Sequence, residues 1–234
     1  MFLGTIFRNL DFSIITNAVI SVIPALICIT FHELSHGFVA YKLGDPTAKS
    51  LGRLTLNPIK HIDIFGLLMM VVAGFGWAKP VPVDMRRFKN PKRGMAITAL
   101  AGPVSNIVLA AFVLVVYGVV AALTENRTQG SLSWTVLQMI IRTAYLSVAL
   151  AVFNMIPIPP LDGSKVLFSI VPDRAYMKLM RYERYGVILL FILIMAPRFL
   201  GPEANVFDLT IGKLTQSIFF FMAKIGDAVY RLLA

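Results

Sequence analysis

Two histidines and a glutamate stand within five residues in the stretch FHELSHGF, Phe31 to Phe38. On an α-helix His32 and His36 are one turn apart, so both imidazoles leave the same face and can reach one metal ion. Glu33 lies about 100° around the helix from His32, near enough to touch a water at the metal without being a ligand. That is the arrangement a zinc hydrolase needs. Two neutral imidazoles and a third protein ligand hold the ion, an open position takes water, and Glu33 serves as general base and passes the proton to a leaving amine. A soluble surface helix can carry HExxH by accident, but here Ser13 to Thr30, directly before the motif, holds no charge at all. Ionisable side chains on a membrane helix cost about 2.5–3.5 kcal/mol each at mid-bilayer and by default mark function. Only 3 histidines occur in the chain, and two of them are here.

A third ligand must be acidic, histidine or cysteine at the same depth. Asp162 stands in AVFNMIPIPPLDGSK, immediately after an apolar run. Pro157, Pro159 and Pro160 cannot continue a regular helix and make a stiff break that could aim Asp162 back toward the histidines. Its plain alternative is an Asp-Gly turn closing a helix, but non-helical backbone at membrane depth is tolerated only where protein or a wet cavity surrounds it. His61, in LNPIKHIDIFG, is the rival third ligand. It reads more readily as a partner to one of the ligands, as a contact to substrate or as an interfacial polar residue beside Lys60 and Asp63, and its role stays open. Cys28 lies alone inside the first apolar run, so no internal disulfide is available.

The elements that must carry these residues are apolar. The chain is 57% hydrophobic and 15% charged over 234 residues, with a mean hydropathy of +0.76, which is far from an ordinary soluble domain. The expected fold is an all-α polytopic membrane protein: a bundle of about five or six transmembrane helices with a small re-entrant or β-containing insert. Residues ~12–43 read as a long helix stopped by Gly44-Asp45-Pro46, and ~94–123, ~132–156 and ~186–200 as further spans. Ile64 to Ala78 is apolar but short and carries Gly66, Gly74 and Gly76, which suits the insert. The tail ~206–233 mixes FFFMA with Lys213, Lys224 and Asp227 and either spans or lies on the surface. Residues 1–234 are expected to form a single membrane domain, with the zinc site in a core of about 12–170 and peripheral helices over about 171–234. MFLGTIFRNL lacks the features of a cleaved signal, so the first span is expected to act as its own insertion signal.

The net charge of +10 is mainly a statement of topology. Lysine and arginine crowd 42–60, 79–93 and 157–185, whereas 124–131 holds only Arg127 and 197–210 only Arg198. The first three connections are expected on the cytoplasmic side and the N-terminus outside. No basic-aromatic interleaving supports nucleic-acid binding. Both the end of the HELSH helix and the start of the 157–185 connection then fall near the cytoplasmic face, where a site opening toward the cytoplasm could be assembled.

HELSH on a membrane helix, AGPVSN in a later span and FNMIPIPPLDG in the next together resemble the site-2 protease family of intramembrane zinc metalloproteases. The likeness runs from about Ile14 to Ile170. It implies that His32, His36 and Asp162 bind one Zn²⁺ per chain and that Glu33 is the catalytic acid and base. It also implies cleavage, within or near the bilayer, of transmembrane segments of other membrane proteins. Asn106 in AGPVSN and Asn154 before the proline break are, on this resemblance, amides that face the zinc and donate to a substrate carbonyl or oxyanion; their plain alternative is interhelical hydrogen bonding. The sequence lacks the PDZ and CBS modules many relatives carry and looks like a short, minimal-core member, expected in a bacterial or archaeal cytoplasmic membrane.

Three further readings stay open at this level. WAKPVPVD, Trp77 to Asp84, alternates apolar residues with proline, which allows an edge, and residues 64–84 are expected to form a membrane-embedded hairpin or loop that pairs with an unwound substrate by strand addition; the plain alternative is a surface connection. Arg142, inside the third span, has no account. A zinc-binding transporter would place ligands along a path across the membrane, whereas these occupy one level, and a non-catalytic zinc-stabilised scaffold would have no need of Glu33.

Overall fold

The computed structural model describes residues 12–73, 76–124, 128–181, 183–200 and 208–234. MFLGTIFRNL, Gly74, Arg127 and the first residues of the 206–233 tail lie outside them. The chain folds as helices: α1 Phe12–Lys42, α2 Thr47–Ser50, α3 Ile64–Ala73, α4 Pro91–Leu123, α5 Leu132–Asn154, α6 Asp162–Ile170, α7 Asp173–Arg181, α8 Glu183–Leu200 and α9 Lys213–Leu233. Among the described residues Ile20–Lys42, Pro91–Leu123 and Leu132–Asn154 are long and apolar enough to cross a bilayer, which makes this a helical, multi-pass membrane protein.

Local chemistry sets the ends. After α1 the chain turns at Gly44 with φ +107°, a conformation open to glycine, before Pro46 bars any continuation. Asn90 caps α4 by accepting the Arg93 N–H at 3.1 Å, with Pro91 in the first turn, and Ser131 caps α5 through the Trp134 N–H at 3.2 Å. Both satisfy amides that the first turn leaves without partners.

Helix α4 is the hub and packs against α1, α5, α6 and α9. Gly94, Thr98, Gly102, Asn106, Ala110, Leu114 and Gly118 recur at every fourth position and are all buried, so one mainly small-residue stripe lets neighbouring backbones approach closely. Ala110 and Leu114 pack with Ala144 and Val148 of α5 and Met222 of α9. The tail helix therefore joins the bundle, and a Cβ on Gly118 would stand 2.5 Å from the Gly226 carbonyl oxygen. Arg142 donates through Nη1 to Ser21 Oγ at 3.1 Å, linking α5 to α1.

Between α1 and α4 lies the insert. A 3-10 turn, Pro58–His61, leads into α3, whose 10 residues reach about 15 Å, half of a hydrocarbon core of about 30 Å. Among the described residues the insert has no strand; Ile62 and Ala78 form one antiparallel bridge, extended by the Lys79 N–H donating to the His61 carbonyl at 2.9 Å. Prolines 80 and 82 remove the donors a longer ladder would need.

Candidate metal centre

His32 and His36 leave α1 on one face, as the one-turn spacing requires, and the proline break after α5 returns Asp162 to them. His32 Nε2 and His36 Nε2 lie 3.0 Å apart. Asp162 Oδ2 is 3.1 Å from the first and 3.2 Å from the second. All three residues are buried. Among the described residues they form one group able to hold a metal. A tetrahedral ion with ligand bonds of about 2.0–2.1 Å spaces its donors about 3.3 Å apart, so the triangle is already near the size zinc demands.

The surroundings fit an ion as well. His36 Nδ1 lies 2.7 Å from the Thr98 carbonyl and must donate to it, which leaves the Nε2 lone pair facing the group. His32 Nδ1 faces the side-chain amide of Asn106 at 3.3 Å. Asn106 is buried and its Oδ1 has no hydrogen-bond partner. With the amide turned so that Oδ1 accepts from Nδ1–H, that oxygen is satisfied and the second imidazole too presents a free Nε2 lone pair. Two lone pairs and a carboxylate turned upon one another in a buried space call for a cation. Gly102 forms the wall behind them: a Cβ there would stand 2.5 Å from His32 Cε1, His36 Cε1 and His36 Nε2.

Asp162 is delivered by the first turn of α6. The turn sits so tightly on the end of α5 that a Cβ on Gly163 would collide with the Met155 carbonyl oxygen. Glu33 is half-buried on α1, and its Oε2 accepts the Val81 N–H at 2.8 Å. A cavity of about 520 Å³ opens beside it, walled by α1, the insert, the end of α5 and α8, and reached by His32, Glu33, His61 and Asn154.

The remaining candidates separate clearly. Asn106 touches His32 directly. Asn154 reaches the cavity wall while donating to the Leu150 carbonyl at 3.0 Å. His61 is apart from the group of three; it reaches the same cavity, and its Nε2 lies 3.0 Å from the Thr55 carbonyl. In WAKPVPVD the Val81 N–H is taken by Glu33, so a substrate strand added there would not find that donor. Gly102 and Thr98 were not legible as site residues. Thr98 acts through its backbone, which carries no side-chain signal, and Gly102 reads as one more small residue of a membrane helix, though it stands one turn before Asn106.

Comparison with known proteins agrees with this chemistry. The model of peptidase family M50 matches residues 116–197, a stretch holding Asn154 and Asp162. The chain is 42% identical over 209 residues to "Putative zinc metalloprotease YwhC" of Bacillus subtilis, covering 85% of this chain and 91% of that protein. It is 28% identical to "Putative zinc metalloprotease Rip2" of Mycolicibacterium smegmatis, over 74% of this chain and 65% of that protein. It is 34% identical to "Putative zinc metalloprotease MJ0611" of Methanocaldococcus jannaschii, over 69% and 75%. No solved structure matches. With a relative this similar over nearly its whole length, and with two histidines and an aspartate gathered on one buried point, the chain belongs to peptidase family M50, the site-2 protease family of zinc metalloproteases.

Proposed function

We propose that this protein is an intramembrane zinc endopeptidase that hydrolyses peptide bonds within or near the transmembrane segments of other membrane proteins. The observation that carries the reading is the meeting of Asp162 with His32 and His36 beside Glu33, the histidines and the glutamate on a helix long and apolar enough to cross a bilayer, next to a cavity lined mostly by apolar side chains.

His32, His36 and Asp162 hold one Zn²⁺. Zinc, when bound, supplies the Lewis acidity that makes water a nucleophile near neutral pH. Thr98 and Asn106 fix the two imidazole tautomers. Glu33 takes the proton of the attacking water and delivers it to the nitrogen that leaves as the peptide bond breaks. Asn154, on the cavity wall, donates to a carbonyl of the bound segment. A helical peptide bond is shielded by its own hydrogen bonds, so the substrate unwinds in the cavity before attack.

Residues 1–234 form one membrane domain of five or six spans, with the insert embedded in one leaflet; Ile64, Phe65, Leu68 and Trp77 expose apolar side chains there, as lipid contact requires. The basic connections lie in the cytoplasm, water enters from that side, and the enzyme resides in the cytoplasmic membrane. Substrate enters laterally past α1 and α8, which wall the cavity.

The test is reconstitution in liposomes with zinc and a labelled transmembrane peptide carrying a helix-loosening Gly-Pro pair. Cleavage by the wild type, absent in Glu33→Gln, is the expected result; a zinc-loaded wild type that leaves such peptides and unstructured casein intact would remove the protease reading.

A further inference from the structure

Glu33 does not stand free. Its Oε2 accepts the N–H of Val81 at 2.8 Å, and Val81 lies between Pro80 and Pro82, so it carries the single backbone donor of that tripeptide. The same peptide unit is gripped from its other side. Arg53, buried at 8% exposure, donates through Nη2 to the Lys79 carbonyl at 2.8 Å and to the Pro80 carbonyl at 3.3 Å. The Pro80 carbonyl and the Val81 N–H are two ends of one planar peptide group. A guanidinium therefore sits at the oxygen end of that dipole and a carboxylate at its hydrogen end, and each polarises the peptide in the sense that strengthens the other's bond.

The far end of the segment is held with equal care. Asp45, fully buried just past the end of α1, accepts the Asp84 N–H through Oδ2 at 2.6 Å and the Thr47 N–H through Oδ1 at 3.0 Å. One turn after Glu33, a Cβ on Gly37 would stand 2.9 Å from Val81 Cγ1, so the helix itself presses on Val81. Neither Arg53 nor Asp45 belongs to the group of His32, His36 and Asp162.

We propose that Arg53 is a positioning residue for Glu33, acting through the Pro80–Val81 peptide, with Asp45 anchoring the segment's other end. This rests on the reading of Glu33 as the general base. A glutamate on a helix face samples several rotamers; one fixed N–H on Oε2 restricts it and leaves Oε1 for proton transfer. The same stretch walls the cavity through Trp77, Ala78 and Pro80, so the base is set by the element that meets substrate.

The experiment compares wild type, Arg53→Gln, Arg53→Lys and Glu33→Gln by zinc content, by kcat and KM on fluorescein-labelled casein, and by the amide proton shift of ¹⁵N-labelled Val81 in detergent micelles. Arg53→Gln is expected to keep about one zinc per chain and KM within about twofold, to lose kcat by about 10- to 100-fold, and to move the Val81 amide upfield in the direction Glu33→Gln moves it. Arg53→Lys recovers part of both. A Val81 amide indifferent to Glu33→Gln, an unchanged kcat, or zinc lost together with kcat would overturn the proposal. If zinc-loaded wild type cuts nothing, the protease reading fails, while the amide shifts still decide whether the clamp exists. Should the Arg53 variants not accumulate, replacing Val81 by its α-hydroxy acid removes the N–H that Glu33 accepts and weakens the Pro80 carbonyl that Arg53 holds, cutting both arms of the clamp; the same fall in kcat is expected, and full activity would refute the clamp.

Discussion

Gly102 lies so close to His36 that a Cβ at that position would stand 2.5 Å from Nε2. The absence of a side chain on α4 is thus what leaves room for two imidazoles and an ion between α1 and α4. Gly102→Ala must push the rings out of register. We expect zinc affinity to fall about 10- to 100-fold with helical circular dichroism unchanged, measured by competition with a chromophoric chelator. Wild-type affinity in Gly102→Ala would mean the rings have freedom that the packing denies.

The ligands and the base should part company in metal content. His36→Ala and Asp162→Ala are expected to purify without zinc, because two donors do not hold it. Glu33→Gln is expected to keep about one zinc per chain while losing about 10²- to 10⁴-fold in turnover. Elemental analysis beside a casein assay reads both quantities. Zinc retained in Asp162→Ala would reassign the third ligand.

Asn106 is predicted to act on the metal through His32. Asn106→Ala frees Nδ1 to lose its partner and should weaken zinc binding by about 10- to 100-fold, with Asn106→Asp retaining more of it, since a carboxylate also accepts from Nδ1–H. If instead Asn106→Ala holds zinc as wild type does and loses only turnover, the amide serves the substrate and not the ring.

Gly118 supports the bundle far from the metal. Its Cβ would meet the Gly226 carbonyl at 2.5 Å and the Val229 side chain at 2.8 Å, so Gly118→Val separates α9 from α4. The expected cost is about 1–3 kcal/mol, seen as a lower thermal midpoint in detergent with zinc content preserved. An unshifted midpoint would show that α9 contributes little to the fold.

Much of this protein is legible in one dimension because its strongest signals are local. Apolar runs marked α1, α4 and α5, Asp45-Pro46 marked where α1 stops, and the one-turn spacing of His32 and His36 put two donors on one helix face. The insert was harder. Its apolar run and its proline-spaced return are compatible in sequence with strand or loop, and only the tertiary structure shows a ten-residue helix returning through the single bridge of Ile62 and Ala78 in place of a hairpin. Arg142 finds its partner in Ser21, 121 residues away in sequence, which no local pattern records.

By itself, then, the sequence determined that the chain is a membrane protein carrying two histidines spaced to share one ion and a glutamate beside them on one helix, since periodicity, hydropathy and helix geometry act over neighbouring residues. Tertiary structure alone decided that Asp162 and not His61 joins the pair, that Thr98 and Asn106 set the imidazoles, that Gly102 makes the room, and that Glu33 is tied to Val81. Each of these depends on contacts across 45 or more positions, several made by backbone atoms or by a missing Cβ, and no pattern of side-chain types along a chain records where such atoms meet.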